Sequence, residues 1–214
     1  MVKLIIGGDL CPIGRDLPYF ANGDAKAIFN DLLEEFHKAD LTIANLECPL
    51  TDSDLPIEKL GPNLRAPARC VDGIKNAKIN VLNLANNHIM DFGPQGLADT
   101  LSVCRDAGIE TVGAGKNLQD ARRILITRLG NIRVGFLGVA EHEFSIATEV
   151  SYGADPLGLV DCVRNIRANK NNIDYLVVLL HGGNEHYPYP SPRIRKISRF
   201  MVEMGANAVI VQHT

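Results

Sequence analysis

Five times in this chain a short apolar run ends in a residue able to ligate a metal, and that recurrence restricts the possible folds most. Residues 4–8 lead into Asp9, and residues 41–44 lead into Asn45-Leu46-Glu47. Residues 81–85 lead into Asn86-Asn87-His88, residues 175–180 into His181, and residues 208–212 into His213. Each run has the length of one buried strand. In open α/β sheets ligands bind outside the carboxyl ends of the strands, which is where these side chains fall. Turn chemistry accounts for Asn and Asp at such ends. It does not account for two histidines and a glutamate. Asp9, Glu47, Asn87, His181 and His213 together make a mixed oxygen and nitrogen donor set suited to Mn²⁺, Fe or Zn²⁺. A carboxylate in such a set can bridge two ions, so one or two are expected.

The surrounding composition agrees with a layered α/β domain. The chain has 214 residues, 46% of them hydrophobic and only 6% aromatic, with no Trp. That balance suits a largely parallel sheet built from Val, Ile and Leu. One domain over residues 1–214 is expected. It is expected to continue beyond Thr214, since a strand ending at the lip of a site is an unusual place to stop. A net charge of −3 argues against nucleic-acid binding. No apolar run approaches the ~20 residues of a membrane span, and residues 1–9 read as a strand, not a signal peptide. Five cysteines without regular spacing point to reduced thiols. A cytoplasmic location is the expectation.

Along the chain, residues 10–23 read as a loop. One helix follows from near Asn22, with Ala25, Ile28, Phe29, Leu32, Leu33 and Phe36 on its inner face. Residues 48–67 form a proline-rich passage long enough to be a lid or binding loop. Pro67 opens a short helix, and Pro94 opens a longer one that Gly108 stops. Gly130-Asn131 between two β-rich runs signals a hairpin, which puts antiparallel strands on one side of the sheet. Residues 141–158 read as a second irregular loop. Helices are expected from Leu159 and from Ser191-Pro192, the latter ending at Gly205. Gly113-Ala114-Gly115 lacks the third glycine of a dinucleotide fingerprint, Leu118 standing in its place. A nucleotide-binding oxidoreductase is therefore disfavoured.

The motifs Gly8-Asp9, Asn45-Leu46-Glu47, Ala85-Asn86-Asn87-His88 with Asp91 and Gly93, His181-Gly-Gly with Glu185, and Gly205-Ala206-Asn207 with His213 occur in this order. In that arrangement the chain resembles the CapA family of poly-γ-glutamate capsule biosynthesis proteins, a branch of the calcineurin-like metallophosphoesterase superfamily. The resemblance implies a layered α/β/β/α metallophosphatase-like sandwich, C-terminally incomplete here. It implies that Asp9, Glu47, Asn87, His181 and His213 hold the metal, Glu47 as the bridge, and that His88 protonates a leaving group. Asp91 is placed either to hold the His88 ring or to cap the helix at Pro94. Asn45, Arg65, Glu185 and Tyr187 are candidates for contact with substrate. Two departures stand out: Cys11 occupies the third position of the superfamily's Asp-x-His, and of the final His-x-His only His213 is present, followed by Thr214. The tryptophan often found after the fourth-motif histidine is Gly182.

The expected function is a metal-dependent hydrolase or transferase acting on a phosphoester or amide in capsule or polymer biosynthesis. Its partner would be an anionic polymer precursor or a phosphorylated small molecule. The alternative is a non-catalytic assembly or ligand-binding factor with a degenerate metal site.

Overall fold

The structure is a computed structural model that describes every residue except Glu185, Pro188 and Thr214. In its first half, strand β1 (Leu4–Leu10) is followed by three short helices, α1 (Leu17–Ala21), α2 (Ala25–Phe29) and α3 (Leu32–His37), and then by β2 (Leu41–Leu46). After the long loop come α4 (Val71–Asn76), β3 (Val81–Asn83), α5 (Gly93–Ala107) and β4 (Glu110–Val112). These four strands form one sheet in the order β1-β2-β3-β4, parallel throughout.

In the second half, β5 (Ala114–Gly115) and α6 (Leu118–Ala121) precede a hairpin of β6 (Leu125–Leu129) and β7 (Ile132–Ala140). Then come β8 (Gly153–Ala154), α7 (Leu159–Asn169), β9 (Tyr175–His181), α8 (Pro192–Glu203) and β10 (Ala208–Gln212). The second sheet has the order β10-β9-β7-β6 and is parallel except at the β6–β7 hairpin. β5 and β8 pair separately as a small antiparallel ribbon.

Side-chain alternation on the strands builds three apolar layers. Ile43 and Val81 of the first sheet meet Phe136, Val177 and Leu179 of the second between the sheets. The opposite face of the first sheet, with Leu82 and Leu84, packs on Phe20, Ile74 and Leu97 of the helices. The opposite face of the second sheet, with Leu137, Val178 and Leu180, packs on Cys162, Ile166, Ile194 and Met201. The result is the expected α/β/β/α layering.

Strand register then decides where the polar side chains collect. Asp9 pairs with Asn45, and Asn45 with Asn83, in one row across the first sheet. Ala140 pairs with His181, and His181 with Gln212, in one row across the second. Both rows lie at the carboxyl ends of parallel strands.

Several local expectations need correction. Residues 10–23 are not all loop: Pro18, whose missing N–H costs nothing in a first turn, starts α1. The single helix expected from Asn22 to Phe36 is two helices. Asp24 accepts a bond from the Ala27 N–H to start α2, and Asn30 at φ 50° stops it. With ψ at −118° this is a turn conformation outside the helical regions, so the helix cannot continue through it. The turn rotates α3 so that Leu32 is 54% exposed instead of inward. The third strand ends at Asn83, two residues short of Ala85. The irregular passage 141–158 contains β8. All five cysteines are free thiols, and no helix among the described residues is long and apolar enough to cross a membrane.

Candidate metal centre

Glu47 leaves the end of β2 with its backbone N–H donating to the Leu10 carbonyl at 2.9 Å, which ties it to the end of β1. Across the gap between the sheets stand His181, the last residue of β9, and His213, just past β10. Glu47, His181 and His213 each offer a ligand atom, all within 4.8 Å of one another. The Glu47 Oε1 atom lies 3.4 Å from His181 Nε2 and 3.6 Å from His213 Nδ1. The two imidazole rings are 4.5 Å apart, centroid to centroid. Asn87 brings its Oδ1 to 3.0 Å from His181 Nε2. Asp9 completes the group, its Oδ1 3.8 Å from His181 Nδ1 and its Oδ2 accepting the His213 N–H at 3.0 Å. His213 takes φ 80° to make that contact, a conformation that a non-glycine residue keeps only when its surroundings demand it. All five expected side chains therefore lie around His181, two from the first sheet, two from the second and one from the turn after β3, and of these Glu47, His181 and His213 bring ligand atoms within 4.8 Å of one another.

The electrostatics suit a cation. Burial pushes the Glu47 carboxyl up, but hydrogen bonds from His181 and His213, with the electrostatic pull of His181 and His88, outweigh it and bring the group to about 2. Glu47 is thus a carboxylate at any ordinary pH. Carboxylates, an amide oxygen and imidazoles without a thiolate form a donor set that fits a hard or borderline divalent ion.

Behind the donors lies a layer of buried amides. Asn45 is fully buried, so it does not meet substrate as expected; it serves the donors from behind. Its Nδ2 donates to Asp9 Oδ1 at 2.7 Å and lies 3.2 Å from His181 Nδ1. Its Oδ1 accepts from Asn83 Nδ2 at 3.1 Å and from Asn86 Nδ2 at 3.3 Å. Gln212 Nε2 donates to the Gly7 carbonyl at 2.8 Å, joining the two edge strands β10 and β1. Buried amides with every bond made rigidify a site. Asn83 and Gln212 escaped the sequence reading, although a polar residue interrupting an apolar strand was a usable signal.

Beside the donors, the His88–Asp91 pair takes the first of its two expected forms. His88 Nδ1 lies 2.7 Å from Asp91 Oδ2, whereas α5 has no side-chain cap at all. The buried Lys59 side chain, which sequence reasoning missed, forms an ion pair with Asp91 Oδ1. Nothing in the sequence separates Lys59 from any other loop lysine.

The contacts of the other described candidates lie elsewhere. Arg65 donates to the Ser53 carbonyl, pairs with Asp54 at 2.7 Å and stacks over Phe92 at 5.0 Å, so its guanidinium is spent within the first loop. Tyr187 is 56% exposed and packs edge-on against Tyr189. Glu185 lies outside the described residues. Cys11 is half-buried against the apolar cluster on the outer face of the first sheet, its thiol beside that of Cys48, and is not part of the Glu47–His181–His213 cluster. At Gly182 a Cβ would come 2.3 Å from Glu141 Cγ, so the Glu141 side chain fills the space a larger residue would need. The glycines of Gly113-Ala114-Gly115 answer to packing: a Cβ on Gly113 would sit 2.7 Å from Ala85 Cβ, and one on Gly115 2.5 Å from Asp120 Cβ.

Known proteins resemble this chain in sequence or in fold. The profile of the family described as bacterial capsule synthesis protein PGA_cap matches residues 3–214. The capsule biosynthesis protein CapA of Bacillus anthracis is 31% identical over 195 residues, covering 87% of this chain and 47% of that protein. The PGA biosynthesis protein CapA of Bacillus subtilis (strain 168) is 30% identical over 199 residues, covering 88% of this chain and 51% of its own. The chain thus spans about half the length of the curated relatives it matches. Among solved structures, a putative 5′-nucleotidase from Staphylococcus aureus, crystallised with alpha-ketoglutarate, superposes with a TM-score of 0.56. It is 16% identical and covers 99% of this chain and 45% of that one, a likeness of fold alone. By the match of its family profile over both sheets, the chain belongs to the bacterial capsule synthesis family that includes CapA.

Proposed function

We propose that this chain is a metal-dependent hydrolase or transferase serving the biosynthesis of an anionic capsule polymer, acting on a phosphoester or amide of its precursor. The observation that carries the reading is the convergence of Asp9, Glu47, Asn87, His181 and His213 from two sheets, with the His88–Asp91 pair alongside. Capsule synthesis enters from the names of the relatives.

The five side chains would hold Mn²⁺, Fe or Zn²⁺, which supplies charge stabilisation and an activated water at neutral pH. The chain's own contribution is positioning. Asn45 and the amides around it hold the donors in place before any ligand arrives, so no reorganisation is needed during reaction. Asp91 accepts the His88 Nδ1 proton at 2.7 Å and leaves Nε2 as the working atom of the ring. With both ring nitrogens protonated, His88 gives its Nε2 proton to the leaving oxygen or nitrogen and keeps Nδ1–H on Asp91, a role usually worth ~10²–10⁴ in rate.

Elemental analysis of purified protein, followed by a phosphodiester assay with and without Mn²⁺, tests the reading. Bound metal with turnover supports it. Metal without turnover sinks catalysis and favours the non-catalytic assembly factor, the role suggested by the word "accessory" in the name of a Mycobacterium tuberculosis relative that is 29% identical. In an active preparation His88→Ala should lose most on esters with poor leaving groups, and an equal loss across the series would remove His88 as the acid.

A further inference from the structure

Asp91 is fully buried and receives donors from two directions. On one side, its Oδ2 faces His88 Nδ1 at 2.7 Å and accepts the Leu64 N–H at 2.7 Å. On the other, its Oδ1 pairs with Lys59 Nζ, whose side chain is 3% exposed. The Asp91 carbonyl also accepts the Ile57 N–H at 2.9 Å. One acidic residue therefore fastens the first loop at residues 57, 59 and 64, and Asn63 Nδ2 closes the turn on the Ile57 carbonyl at 3.0 Å. Lys59 also reaches toward the second loop, its ammonium 5.7 Å from the centre of the Phe144 ring.

The chemistry of these contacts assigns each proton. A nitrogen and a carboxylate oxygen 2.7 Å apart need a proton between them, so His88 Nδ1 is a donor. Lys59 Nζ is 3.3 Å from the same nitrogen, but an ammonium has no lone pair and Nδ1–H none to spare. Lys59 therefore acts on the imidazole only through Asp91. A carboxylate removed from water needs a counter-charge as well as hydrogen bonds, and Lys59 supplies the positive charge beside the second oxygen. A lysine gives up side-chain freedom and hydration to be buried there. A loop that needed only to be closed could use the backbone bonds at Ile57 and Leu64.

We propose that Lys59 is a positioning residue: paired with Asp91, it holds the carboxylate against His88 and so fixes the ring with the proton on Nδ1 and Nε2 toward the reacting group. The assignment rests on the hydrolase reading only for its kinetic consequence. The position of the ring proton is observable without turnover.

The test uses Lys59→Met, Lys59→Gln and Lys59→Arg. Nitrogen-15 spectra of the metal-free chains at one pH identify the His88 tautomer. With the ring neutral, as it is once Nε2 has given up its proton, the wild type and Lys59→Arg should show Nδ1–H alone, and the two neutral variants a mixture. Should Lys59→Met fail to fold, Lys59→Gln, which keeps a donor for Asp91, carries the comparison. In metal-loaded protein the neutral variants should lose about ten- to a hundredfold in kcat on a poor leaving group. KM should stay within about twofold, and Lys59→Arg should restore most of kcat. A single unchanged tautomer in the folded neutral variants overturns the assignment, and so does unchanged kcat. A wild type without turnover whose tautomer still depends on Lys59 would instead sink the hydrolase reading and leave the positioning role standing.

Discussion

Asn45 does work that neither a carboxylate nor an apolar side chain could do in its place. It accepts two amide N–H bonds through Oδ1 and uses Nδ2 on Asp9 and His181. Asn45→Asp would set a second carboxylate where Nδ2 now meets Asp9. The expected cost is about 2–4 kcal/mol, a buried charge left without a partner, seen as a lower urea midpoint. Gly138 is a second such position, because a Cβ there would fall 2.3 Å from Asn83 Oδ1 and 3.0 Å from Gly113 Cα. Gly138→Ala should cost about 1–3 kcal/mol through overpacking. By displacing Asn83 it should also loosen the amides behind the metal donors. The candidate ligands stood out in the sequence because each follows an apolar run. Lys59 did not, since its partner Asp91 lies 32 residues away.

At the scale of elements, what was legible followed from local chemistry. Helix α5 runs to Gly108, which takes φ 77° as the sequence reading required. The β6–β7 hairpin forms around Gly130 at φ 60°. The break at Asn30 was hidden, because the apolar spacing from Ala25 to Phe36 continues across it. Periodicity records which residues are apolar and is silent on a single backbone reversal. The second loop carries a pH-dependent element of its own. Burial pushes the Asp155 carboxyl from 3.8 up to about 7, against the pull of Arg122 and with help from Asp161. The folded state therefore binds the extra proton between those values. The stabilisation is complete below about 4 and is lost as pH rises through about 7. Asp155→Asn should flatten this slope. At pH 8 it should be more stable than the wild type by on the order of 2 kcal/mol, measured by urea unfolding at pH 5 and 8.

For the whole molecule, the question is what joins the two sheets at their carboxyl ends. Lower down they share an apolar interior around Phe136, Leu179 and Ile43. At the top they are joined by polar contacts, those of Glu47 with His181 and His213, of Asp9 with His213 and of Gln212 with Gly7. A cation held by these donors would link Asp9 and Glu47 of one sheet to His181 and His213 of the other. Because the donors come together only in the folded chain, binding stabilises by mass action, about 2.7 kcal/mol at a hundredfold excess over Kd. For a chain of this size that corresponds to a rise in Tm of several degrees. Addition of Mn²⁺ or Zn²⁺ should therefore raise Tm in a concentration-dependent way, and EDTA should reverse the rise. Glu47→Gln should abolish the response, because it removes the carboxylate charge facing both histidines. Phe136→Ala supplies the control. It should lower Tm strongly, by about 3–5 kcal/mol of stability, yet leave the metal-induced increment in place, because it weakens the sheets' contact away from the donors. A metal response that survived Glu47→Gln, or one that vanished with Phe136→Ala in a folded protein, would show that the ion does not bridge the sheets at this site.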